Sequence, residues 1–175
     1  MDPDPPDVHE ELVDVIDRDD CVIGVVPRSV MRARNLWHRS VGIAVVSSDG
    51  RLLVHRRSDD KDVWPGRWDL AVGGVVASGE RYEAAALREL AEEVGVAGVV
   101  PELLGEATFA DDRVRCRCRM FRVVHDGPVR FTDGEVAEAR WVTVDELGRL
   151  IDHERFVPDS LALLPPLLPE LFAGR

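Results

Sequence analysis

The segment RELAEEVG, Arg88 to Gly95, crowds three carboxylates, Glu89, Glu92 and Glu93, into little more than one helical turn. Residues three and four apart on a helix are surface neighbours, and each like-charged pair costs about 0.2–0.5 kcal/mol. On an arbitrary helix such a cluster is a solvated face. The alternative is a set of oxygen ligands, because hard divalent cations such as Mg2+ take one or two carboxylates together with waters and substrate phosphates. Charges that repel in an empty site become ligands in a filled one.

The wider stretch GVVASGERYEAAALRELAEEVGV decides between the two readings. It runs Gly74, five residues, Glu80, seven residues, Arg88-Glu89-Leu90, one residue, Glu92-Glu93, one residue, Gly95-Val96. That spacing resembles the Nudix box at every defining position. The resemblance implies metal ligation by Glu89, Glu92 and Glu93, with the carbonyl of Gly74, at the approach from loop to helix, as a further oxygen. It implies that Arg88 is an ion-pair partner and that Glu80 and Gly95 shape the loop–helix–loop. The implied reaction is Mg2+-dependent hydrolysis, with Mn2+ as a substitute, of a diphosphate linkage in a nucleoside diphosphate joined to some group X. A metal-activated water needs a proton acceptor. Family members draw theirs from the box helix or a later loop, which makes Glu93 one candidate here and Glu135, in TDGEVAEARW with Glu138 behind it, the other.

A basic loop, HRRSDDKDVWPGRWD, stands between the acidic segment and the N-terminal part of the chain. It supplies Arg56, Arg57, Lys61 and Arg67 as phosphate contacts. The order of arginine, lysine and WPG.W also resembles type I isopentenyl-diphosphate isomerase, a relative with the Nudix fold, and assigns Arg57 and Lys61 to the diphosphate. The N-terminal hairpin and FVPDSLALL point the same way, placing the chain in an isomerase-like subgroup. Isomerase activity is disfavoured, because the cysteine and histidine that the isomerase needs are replaced by Gly73 and Val75, and its later glutamates by residues around Val114 and Cys116. His38, at the position of an isomerase metal ligand, is read as a satisfied polar residue at a strand start. Trp64, Trp68 and Trp141 could stack a base but are more simply core. A nucleotide-sensing module without catalysis is the third reading; such modules usually lose box carboxylates, and this chain keeps them.

The elements that must position these residues follow from patterning. LVDVIDRDDCVIGVVP reads as a hairpin, followed by a brief helix that Ser29 would cap. VGIAVVSSDGRLLVHRR reads as two strands joined at Asp49-Gly50, a strong hairpin dipeptide. Arg81 to Val94 is a helix with Leu87, Leu90, Ala91 and Val94 as its apolar stripe, which would leave the three glutamates facing away from the core. Gly95 ends it. VRCRCRMFRVVHD alternates like a half-buried strand with its arginines on one face. EARWVTVDELGRLI turns from strand to helix with Thr143 or Asp145 as the cap. Pro158 to Ala173 is helical with a break at Pro165-Pro166. Residues 1–10 read as a disordered tail and 11–175 as one domain with its core at about 38–165. Strands alternating with helices imply an α/β (α+β) class, and the family resemblance, spanning Val13 to Leu164, implies an α/β/α sandwich with a mixed central sheet.

Composition bounds what remains. The 175 residues carry a net charge of −11, which opposes non-specific binding to nucleic acid or anionic lipid. Cys21, Cys116 and Cys118 are too few and too oddly spaced for a disulfide framework. No apolar run approaches the roughly 20 residues of a membrane span, and the acidic N-terminus has no signal-peptide character. The expectation is a cytoplasmic monomer or homodimer whose partner is a small diphosphate, not a nucleic acid or a membrane.

Overall fold

The computed structural model describes residues 10–131 and 134–172. The Pro- and Asp-rich tail therefore lies outside the described residues, except for Glu10, whose carboxylate accepts a hydrogen bond from the Ser29 backbone N–H at 2.9 Å. β1 (Leu12–Ile16) and β2 (Val22–Pro27) form the expected hairpin. α1 (Arg28–Ala33) starts at Pro27 with no side-chain cap. Ser29 lies inside its first turn, so Glu10 takes the capping role expected of Ser29.

β3 (His38–Val46) and β4 (Leu52–Arg57) meet at a turn closed by the Gly50 N–H donating to Ser47 O at 3.0 Å. β5 (Trp68–Asp69) pairs with β4, and β6 (Val72–Val75) runs antiparallel to β3. After α2 (Tyr82–Val94) come β7 (Glu102–Ala110) and β8 (Arg115–Val124), an antiparallel pair. β8 lies parallel to β3 along its whole length, from His38 opposite Cys116 to Val46 opposite Val124. β9 (Val136–Val142) returns antiparallel to β4. α3 (Val144–His153) follows, opened by a capping box in which Thr143 and Glu146 exchange hydrogen bonds. The C-terminal segment is α4 (Pro158–Leu163), a single 3-10 turn (Pro165–Leu167) and α5 (Leu168–Leu171), broken where Pro165-Pro166 predicted.

The alternation of β3 explains the layering. Val41, Ile43 and Val45 point to one face and pack with Ala85, Ala86 and Leu90 of α2. Ala44 and Val46 point to the other and pack with Leu147 of α3 and Leu163 of α4. Side chains two apart share a face of a strand, so a mixed sheet between α2 and the C-terminal helices results, as expected. Arg115, Arg117 and Arg119 of β8 share one face, with Cys116, Cys118 and Met120 buried on the other; the alternation of charge stops at Phe121, so Arg122 falls on the face of Met120.

Two further features differ from the sequence reading. β7 was not foreseen, because its pattern is mostly exposed and carries little of the alternation that marks a half-buried strand. The apolar stripe of α2 is rotated from the one predicted: Tyr82, Ala85, Ala86, Leu90 and Val94 are buried, whereas Leu87 is 41% exposed and Ala91 is exposed. Small Ala85 and Ala86 let the helix approach the sheet closely, and this sets the buried face. The rotation carries Glu89 and Glu93 inward, each only 8% exposed, contrary to the outward orientation expected for them. Gly95 ends the helix in the left-handed region at φ 67°, with its N–H donating to Leu90 O.

Candidate active site

Glu89 and Glu93 are four residues apart and occupy one face of α2. On the sheet, Val72, Gly74 and Val76 alternate onto the face that α2 covers. Gly74 has no side chain, and the Glu89 carboxylate takes that space: a Cβ on Gly74 would fall 2.4 Å from Glu89 Oε1. Gly74 is thus part of β6, opposite Val41, and not in the loop approaching the helix.

Arg88 organises the group. Its Nε and Nη2 donate to the two oxygens of Glu80, each at 3.0 Å, while Nη2 also reaches Val75 O at 3.1 Å. Nη1 donates to Glu89 Oε1 at 2.8 Å and to Glu92 Oε2 at 3.3 Å. Bidentate pairing of this kind fixes orientation as well as charge. Burial pushes the Glu80 carboxyl up, but hydrogen bonds from Arg88 and the Ala77 N–H outweigh it and hold the group below the usual range. The Arg88 proton is held more tightly than usual, chiefly by Glu80.

The opposite holds for the inward glutamates. Burial, then the Glu89 charge, pushes the Glu93 carboxyl up to about 8, against the pull of Lys61. Glu89 is raised in the same direction by burial, with Arg88 opposing. Desolvation and like charge both disfavour the ionised form. Glu92 is exposed and turned toward Arg88. Among the described residues no three His, Cys, Asp or Glu side chains converge closely enough to hold a cation in this arrangement.

Glu89, Glu92 and Glu93 line a cleft of about 690 Å³, within the size range of small-molecule sites. Arg57, Lys61 and Glu135 line it too. Lys61 Nζ and Glu135 form a close ion pair across the loops, and the Ser58 N–H donates to Glu135 O at 2.7 Å, fixing the loop that carries it. Arg57 donates through Nε to Val63 O at 3.1 Å and faces Asp69 at 3.8 Å. Arg56 does not line the cleft; it pairs with Asp59. Arg67 is also absent from the lining, lying over the Trp64 ring at 4.4 Å. Glu138 is exposed and paired with Arg140.

Of the tryptophans, Trp68 is core and Trp141 packs on the α2 side, whereas Trp64 lines the cleft with Arg67 and Arg113 against its ring. His38 is buried at the start of β3 with Nδ1 3.0 Å from Leu36 O, and burial lowers its pKa to about 4. All three cysteines are free. The cleft also takes in Arg32, Asp69 and Asp159, which sequence reasoning did not single out. They belong to short or irregular segments whose position over the sheet has no periodic signature.

The comparisons with known proteins bear on this arrangement. The NUDIX domain model matches residues 36–164. A Nudix hydrolase of Rhodococcus erythropolis, orf19, is 40% identical over 167 residues, covering 89% of this chain and 90% of its own. The Nudix hydrolase YfcD of Escherichia coli K12 is 38% identical, covering 88% and 84%. The crystal structure of DR0079 from Deinococcus radiodurans superposes with a TM-score of 0.74 at 27% identity, over 93% of this chain and 99% of that one. The Nudix domain of NrtR from Shewanella oneidensis, solved with ADP ribose, shares the fold at a TM-score of 0.62 and 17% identity. Placement in an isopentenyl-diphosphate-isomerase-like subgroup finds no support among these relatives. With the family model covering most of the chain and relatives 38% and 40% identical matched over most of their length, the chain belongs to the Nudix hydrolases, a family that acts on pyrophosphate bonds.

Proposed function

We propose that the protein is a Mg2+-dependent hydrolase of a nucleoside diphosphate linked to X, with Mn2+ as a working substitute. The observation that carries the reading is the burial of Glu89 and Glu93 on α2, with Glu89 against Gly74, in a cleft that Arg57 and Lys61 also line. Two desolvated carboxylates on one helical face are unfavourable alone and suit a hard cation, since the donors on offer, Glu89, Glu92, Glu93 and the Gly74 carbonyl, are all oxygens. When bound, the cation neutralises diphosphate charge and acidifies a water. The chain does the rest. Arg57 and Lys61 grip the phosphates, Arg88 orients Glu89, and Glu80 holds Arg88. Glu93 and Glu135 are the cleft carboxylates able to accept the proton of the attacking water. Glu92, 3.3 Å from Arg88 Nη1, would be a further oxygen donor to the cation.

This reading makes the partner a small diphosphate rather than a nucleic acid or a membrane, with a monomer or homodimer at work in the cytoplasm. Among the described residues no helix is long and apolar enough to cross a membrane. Mg2+-dependent phosphate release across a panel of nucleoside diphosphate derivatives, including ADP ribose, tests it. Turnover of at least one compound that EDTA abolishes is the expected result. Tight binding with no turnover would favour the nucleotide-sensing reading instead. With Gly73 and Val75 in the positions the isomerase needs, isopentenyl diphosphate should give no dimethylallyl diphosphate above a heat-killed control.

A further inference from the structure

The cleft is also lined from the sheet face opposite α2, by Cys116, Cys118 and Met120, and this part is its second arm. α1 contributes Arg32, the loop before β5 contributes Trp64, and the first turn of α4 contributes Asp159. Each has a buried side-chain polar atom with no hydrogen-bond partner: Arg32 Nε, Trp64 Nε1 and Asp159 Oδ1. Buried polar atoms are nearly always paired. Here three orphans, two donors and one acceptor, come from separate elements into one cavity. Arg32 forms no ion pair among the described residues, and desolvation followed by Arg28 weakens its hold on its proton. Burial, then Asp69, pushes the Asp159 carboxyl up to about 6.

The floor of this arm is chemically quiet. Cys116 and Cys118 are buried beside Met120, and burial pushes the Cys116 thiol up to about 11 and Cys118 in the same direction. Thiols in that state are poor nucleophiles. The arm is therefore furnished for recognition and not for reaction.

We propose that this arm is the subsite for X and that X is a polar, uncharged group, with Arg32 and Trp64 donating hydrogen bonds to it and Asp159 accepting one from it. The proposal rests on the hydrolase reading for its diphosphate end. A hydrocarbon X would leave all three atoms desolvated and unpaired, which sites built to hydrogen-bond penalise heavily. An anionic X would face Asp159 and Asp69, and a cationic one Arg32 and Arg57. Sugar hydroxyls and the amide edge of a nucleobase share the required chemistry, each offering acceptors and a donor. Trp64 already has guanidinium groups against its ring, so its contribution is the indole N–H.

The test titrates the full chain calorimetrically in Ca2+ at pH 7.5 with UDP, ADP, GDP, UDP-glucose and geranyl diphosphate, beside Arg32→Met and Trp64→Phe. Turnover of UDP-glucose and geranyl diphosphate in Mg2+ is measured in parallel. The best polar compound should bind at least about 30-fold tighter than geranyl diphosphate, a modest share of the discrimination that hydrogen-bonding sites reach. Arg32→Met should erase at least about 10-fold of that preference and Trp64→Phe a smaller part. UDP-glucose binding above UDP assigns the arm to X; equal binding of those two with a strong ranking among UDP, ADP and GDP places the nucleoside's own base there and overturns the assignment to X. Geranyl diphosphate binding as tightly as the best polar compound overturns the proposal. So does binding of none of the five, or an unchanged preference in both variants at wild-type melting temperature. The polar preference without any Mg2+ turnover would instead sink the hydrolase reading and leave the subsite standing.

Discussion

The Glu89 carboxylate lies where β6 has no side chain, and this close approach makes Gly74→Ala informative. The three atoms nearest to an added Cβ all belong to the end of the Glu89 side chain, so the fold should survive with a melting temperature within about 4 °C of wild type, a shift worth roughly 1 kcal/mol. Metal-dependent turnover should fall at least about 10-fold as Glu89 is displaced, equivalent to about 1.4 kcal/mol; unchanged turnover would show that the Glu89–Gly74 contact is incidental. Glu93 makes a second prediction, in metal-free protein. Its proton affinity rises on folding from an ordinary 4.5 to about 8. The folded state therefore binds the proton more tightly, and the stabilisation this group gives in acid is lost as pH rises from about 4.5 through 8. In EDTA, Glu93→Gln should melt progressively higher relative to wild type across that window. A constant difference would contradict the burial of an unpaired carboxylate. The box spacing made these residues legible as a set, but not their inward orientation, because the sequence stripe weighted Leu87 and Ala91 above the small pair Ala85 and Ala86.

At the scale of elements, local chemistry was the legible part. The Asp49-Gly50 turn, the Gly95 stop and the Pro165-Pro166 break each rest on one or two residues with restricted backbone options, and each stands where the sequence put it. Ser29 fails because a polar residue near a helix start becomes a cap only if the chain leaves it at the boundary; here Pro27 precedes the helix and Glu10 arrives from a distance. β7 was hidden because one of its faces is left to solvent and salt bridges, Glu106 pairing with Arg117 and Arg119 of β8. Thr143 settles the choice between two caps and gives an element-scale prediction. Thr143→Ala removes the capping box, costing about 1 kcal/mol, or about 2–4 °C in melting temperature for a chain of this size. Turnover should be unchanged, since no residue of α3 lines the cleft. A loss of activity at the permissive temperature would tie α3 to the site.

Over the whole molecule, the layers divide the work. The face of the sheet under α2 carries the acidic helix, and the face under α4 carries the floor of the recognition arm, so the cleft draws on both. Sequence patterning could assign strands and helices to this sandwich, yet the joining of Arg32, Trp64 and Asp159 in one cavity depends on tertiary placement alone. A net charge of −11 repels a diphosphate at long range, which makes local cations, protein or metal, necessary to the proposed reaction. The most direct measurement is hydrolysis of the best nucleotide substrate as a function of Mg2+, in wild type and in Glu93→Gln, with melting temperature recorded for both. The account predicts that EDTA abolishes wild-type turnover and that Glu93→Gln, folded and at least as stable without metal, loses at least about 100-fold in kcat, close to 2.7 kcal/mol. Turnover that survives EDTA, or near-normal turnover in Glu93→Gln, would show that the buried carboxylates of α2 are not the metal site.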